Sequence, residues 1–83
     1  MKTINKAFVS ITKKVLNIDD YYTVGFTKRE MSFQGEFKTD LLAYFKGIED
    51  NDTLDDVSIK VANNGYIYIS FKFEGFLVAI TLT

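Results

Sequence analysis

A chain of 83 residues, 47% hydrophobic and 16% aromatic with no cysteine, is expected to form one small domain held by its core, without disulfides or thiolate metal sites. It also lacks histidine, which removes the usual neutral-pH general base and the commonest metal ligand; a non-enzymatic protein with no metal and no cofactor is expected. The net charge of −1 gives no overall preference for nucleic acid or membrane, yet residues 1–48 hold eight Lys/Arg against five Asp/Glu, and residues 49–83 two Lys against six Asp/Glu.

Ile4, Ala7, Phe8, Ile11, Val15 and Ile18 recur at helical spacing, and Lys2, Lys6 and Lys13 fall on the opposite side. This predicts an amphipathic helix from about Thr3 to Asn17, its basic side solvated and Val9 and Leu16 standing away from the core stripe. Asp19-Asp20 breaks the pattern. A strand over 21–28 is expected next, with Tyr22, Val24 and Phe26 on one face and Tyr21, Thr23, Gly25 and Thr27 on the other. A turn near Lys28-Arg29-Glu30 leads into alternating Met31, Phe33, Gly35 and Phe37, which reads as a hairpin with a weak point or bulge at Gly35. Thr39 or Asp40 can cap a short helix to Lys46, with Gly47 as its stop signal and Leu41, Leu42, Phe45 and Ile48 toward the core.

Residues 49–56 then place five carboxylates (Glu49, Asp50, Asp52, Asp55 and Asp56) in what reads as an acidic loop. Asp50, Asp52 and Asp56 supply oxygens at alternating spacing, but an EF-hand needs Gly where Asp55 stands and Glu where Val61 stands, so calcium is not expected.

Residues 57–83 carry the clearest pattern, a three-stranded antiparallel meander. Val57, Ile59 and Val61, then Ile67, Ile69, Phe71 and Phe73, then Phe76, Val78, Ile80 and Leu82 alternate with polar or small residues. A two-residue Glu74-Gly75 turn sets Phe73 against Phe76, Phe71 against Val78, Ile69 against Ile80 and Ile67 against Leu82. A three-residue Asn63-Asn64-Gly65 loop sets Val61 against Ile67, with Gly65 in the left-handed position of a bulged turn. Register follows from burial, because a one-residue slip would expose a whole apolar set.

The element order is therefore αββαβββ: a single α+β domain over 1–83, a two-layer sandwich of two helices on a mainly antiparallel sheet. No secretory signal is apparent, and no stretch approaches the ~20 apolar residues of a membrane span, so a cytoplasmic location is expected.

Three surfaces are candidates for function. The acidic stretch could dock on a basic protein surface. The outer face of the meander carries Tyr66 and Tyr68 between Lys60 and Lys72, suited to protein contact or, as an alternative, to stacking bases of a single strand. The last strand, 76–83, carries no charge, so it pairs either with another strand of the chain, 21–28 being the candidate, or with a second molecule in a homodimer. The expectation is a protein-binding module of inhibitor or adaptor type that occludes a basic site. The Lys-, Asn-, Ile- and Phe-rich composition without Pro resembles that of AT-rich genomes. Short inhibitors of host or defence proteins are common in bacteriophages and mobile elements of that kind.

Overall fold

The computed structural model describes residues 3–83, so Lys2 of the expected basic helix side lies outside them. The order is α1 (Ile4–Lys14), a short 3-10 turn (Ile18–Asp20), β1 (Tyr21–Phe26), β2 (Glu30–Gly35), α2 (Thr39–Asp50), β3 (Asp55–Val61), β4 (Ile67–Phe73) and β5 (Phe76–Leu82). The protein is α+β: two helices and one five-stranded sheet in the order β1-β2-β5-β4-β3. The sheet is mixed. β5 runs antiparallel to β4 but parallel to β2, from Glu30 opposite Leu77 to Gly35 opposite Leu82. The uncharged last strand thus lies at the centre of the sheet beside 30–35, not beside 21–28. It has no free edge, which removes the homodimer through residues 76–83.

The meander has the register that its apolar alternation requires. Phe73 opposes Phe76, Phe71 opposes Val78, Ile69 opposes Ile80, and Val61 opposes Ile67. Gly65 (φ 87°) occupies the left-handed turn position. Glu74 (φ 53°) and Gly75 (φ 87°) form a mirror-image two-residue turn, whose twist matches that of the strands.

Both helices lie on one face of the sheet. Ala7 and Ile11 of α1 and Phe45 and Ile48 of α2 join Met31, Phe33, Ile69, Phe71, Val78, Ile80 and Leu82 in one buried cluster. No polar or charged residue is buried among the described residues, so an all-apolar core carries the stability.

Three local expectations change. First, Thr3 caps α1 by accepting from the Lys6 N–H, but the helix ends at Lys14, where the Val15 and Leu16 N–H groups both close on the Ile11 carbonyl. Past that point helical spacing no longer sets direction: Leu16 turns in (3% exposed) and Ile18 turns out (45%). Second, β1 has a bulge between Tyr21 and Thr23. The extra residue reverses the expected faces there, so Tyr21 is buried against Phe33 and Tyr22 is exposed, its hydroxyl 3.1 Å from Thr83 Oγ1.

Third, α2 runs through Gly47 to Asp50. Its stop is Asp52 in the left-handed conformation (φ 53°): the Asp52 N–H bonds the Glu49 carbonyl and the Thr53 N–H reaches back to Ile48. This is a Schellman ending with aspartate where glycine is usual. Continuing past Gly47 brings Ile48 into the core. The N-cap is Lys38, without a side-chain capping bond, rather than Thr39 or Asp40, which both lie within the first turn.

Candidate functional site

The five carboxylates are not a loop. Glu49 and Asp50 form the last turn of α2, Asp52 ends it, and Asp55 and Asp56 open the edge strand β3. The last turn of α2 holds no basic residue, so Glu49, Asp50 and Asp52 sit at the negative end of the helix dipole. The strand continues the charge. A bulge between Asp55 and Ser58, with Asp56 at φ 56°, kinks the start of β3. All five residues are exposed. Lys38 pairs with Asp20 at 3.8 Å, and among the described residues none of the five carboxylates forms an ion pair. Nor do any three acidic groups among those residues converge in a way that could hold a metal ion. The result is a spread negative surface at one end of the sheet edge.

The open face of the sheet, opposite the helices, is read from the registers as three rows running across the strands. One row is Thr23, Gln34, Thr81, Tyr68 and Lys60; the middle row is Gly25, Ser32, Ala79, Ser70 and Ser58; the third is Glu30, Leu77, Lys72 and Asp55. The middle row is small throughout, leaving a shallow floor between two lines of longer side chains.

These rows divide the residues expected to act together. Tyr68 lies opposite Lys60 at one end of the β3–β4 pair, with Tyr66 just beyond it. Lys72 lies opposite Asp55 at the other end, beside the acidic residues. Along β4 the two groups stand four residue steps apart, Tyr68 to Lys72, about 13 Å of strand. Lys60 thus belongs with the tyrosines and Lys72 with the carboxylates. Both tyrosines are partly exposed, Tyr66 at 39% and Tyr68 at 42%, so neither ring is committed to the core.

Two of the surface clefts gather titratable side chains. One, about 280 Å³, is lined by Val15, Leu16, Asn17, Asp20, Tyr21, Leu41 and Tyr44. The Tyr44 hydroxyl donates to the Val15 carbonyl at 2.6 Å across it, which ties α2 to the end of α1. Burial pushes the phenols of Tyr21 and Tyr44 above the ordinary tyrosine range, Tyr21 further because the Asp20 carboxylate is close, so neither is a base at neutral pH. The other, about 310 Å³, lies where the two hairpin turns meet and gathers Lys28, Arg29 and Lys72 with Glu30. Lys72 reaches that corner only because β2 pairs with β5, a non-local contact with no local sequence signal. The chain matches no family model, no curated protein and no solved structure.

Proposed function

We propose that this chain is a non-enzymatic binding module of inhibitor or adaptor type, whose acidic surface covers a basic site on another protein. The observation that carries the reading is the uncompensated charge at the end of α2. Three carboxylates stand at a helix C-terminus, where each like charge is unfavourable by about 0.3–1 kcal/mol. Asp55 and Asp56 extend that charge along the adjoining strand, with Lys72 opposite Asp55 but no ion pair to either among the described residues. A basic surface would relieve this arrangement on contact, and the field would speed encounter. Carboxylates that do not converge suit a broad basic surface better than an ion. Tyr66, Tyr68 and Lys60, further along the same strand pair, would contribute contact area at the rim.

The test is capture of proteins from a source lysate by the immobilised chain, with elution by salt. Capture that falls about tenfold or more in D50N/D52N/D55N/D56N, with the fold intact by circular dichroism, supports the reading. Retained capture by the quadruple variant overturns it.

The second reading is single-stranded nucleic acid on the open face. It is favoured by the Tyr68–Lys60 pairing beside a floor of small residues. Asp55 next to Lys72 opposes it. Fluorescence titration with mixed oligonucleotides at low salt is expected to show no binding at high micromolar protein; saturable binding abolished by Tyr68→Ala would establish the alternative.

A further inference from the structure

The two edges of the sheet are treated differently. β3 is protected by the charges of Asp55, Asp56 and Lys60 and by its bulge. β1, the opposite edge, is Tyr-Tyr-Thr-Val-Gly-Phe, with no charge and no proline. Its bulge lies at the Tyr21–Thr23 end, leaving Thr23 to Phe26 in regular register. The Thr27 N–H donates to the Glu30 carbonyl at the hairpin end, so the alternation of an antiparallel ladder turns Gly25 and Thr23 toward β2. The peptide groups of Val24 and Phe26 then face outward, and among the described residues no backbone bond from outside the sheet covers them. Tyr22 (63% exposed) and Phe26 (46%) lie on this strand, and Ile18 (45%) just before it.

Charge decides what fits there. Asp19 and Asp20 precede the strand, and Lys28 and Arg29 follow it. A strand with an acidic start and a basic finish is complementary to its own antiparallel copy and repelled by a parallel one. A two-fold axis at Val24 brings Asp19-Asp20 of one copy beside Lys28-Arg29 of the second, with Asp19 abreast of Lys28 because the bulge uses two residues for one ladder position. The acidic pair belongs to the 3-10 turn rather than the ladder, so these charges meet through their side chains at the interface ends. Asp20 already lies 3.8 Å from Lys38, which leaves Asp19 the freer partner.

We infer that the chain self-associates through β1, two copies pairing antiparallel across a two-fold axis into a continuous ten-stranded sheet. The inference is independent of the acidic surface at β3, which would lie at the two far ends of such an assembly.

Sedimentation equilibrium of the full chain at about 0.1 mM and low salt is expected to give twice the chain mass, and raising the salt to about 0.5 M to weaken association roughly tenfold. K28E/R29E and D19K/D20K are each expected to lose at least about tenfold in self-affinity, and their equimolar mixture to recover a two-chain species. In the unmodified chain, the Val24 and Phe26 amides should gain protection from hydrogen exchange as concentration rises, a readout that needs no variant. A single-chain mass up to about 1 mM overturns the inference and leaves this edge to a strand of another protein. Association indifferent to both charge swaps, or a dimer in which Val24 and Phe26 exchange as in the monomer, overturns it equally.

Discussion

Phe45→Ala is expected to cost about 3–5 kcal/mol, the usual range for removing a fully buried phenylalanine that leaves a cavity. Phe45 is the anchor of α2. Its ring meets Phe71 of the central sheet at 6.5 Å and Tyr44 at 5.4 Å. Its ends contribute little: the N-cap Lys38 makes no side-chain capping bond, and the last turn works against the dipole, so α2 is held through its packed face and the Tyr44 bond to Val15. A domain of this size has a total stability of about 4–12 kcal/mol, so the substitution removes a large share of it. Urea unfolding followed by circular dichroism checks this. With a slope near 1 kcal/mol/M the midpoint should fall by about 3–5 M, or the protein should be unfolded in buffer. A loss under about 1 kcal/mol would contradict the packing described for α2.

The second large effect is expected at Gly35, for a different reason. A Cβ there would lie 2.7 Å from the Asp20 carbonyl oxygen and 3.0 Å from Tyr21 Cδ1. The first of these is backbone and cannot swing aside, so Gly35→Ala must move the 3-10 turn or the start of β1. About 2–3 kcal/mol of destabilisation is expected by overpacking. Gly47→Ala is the matched control. It lies within α2 with nothing inside 4 Å of the added carbon, and it should stabilise by about 0.5–1 kcal/mol. Opposite signs in the same unfolding assay separate close packing from helix propensity. Equal effects would remove the steric account.

What could be read from the sequence was the part determined by local period. The meander pairings are fixed by alternation and by two turns whose residues tolerate positive φ, so Phe71 finds Val78 and Val61 finds Ile67. Three features were not legible, each set by tertiary context. The parallel β2–β5 pairing depends on contacts between residues more than forty positions apart, with no local signal. The bulge at Tyr22 reverses one face because Tyr21 must cover Phe33, and two adjacent tyrosines do not reveal which turns inward. Gly47 looked like a stop because glycine commonly ends helices, yet the burial of Ile48 extends α2 to Asp50, and an aspartate takes the left-handed position. For the candidate site, the charges of residues 49–56 were visible. Their division between a helix end and a strand edge was not, nor was the separation of Tyr68 and Lys60 from Lys72 and Asp55.

The central place of β5 has a consequence for assembly of the molecule. Of the five strands it comes latest in chain order, yet it alone joins the β1–β2 hairpin to the β3–β4 ribbon. Until residues 76–82 arrive, no strand ladder joins the β1–β2 hairpin to the β3–β4 ribbon, and a two-stranded ribbon by itself is only marginally stable in water. Folding should therefore be slow to commit and abrupt once it does, with the closing step a docking of distant halves. A nascent chain cut short before Phe76 would leave both greasy flanks of the gap open to chaperones or to aggregation.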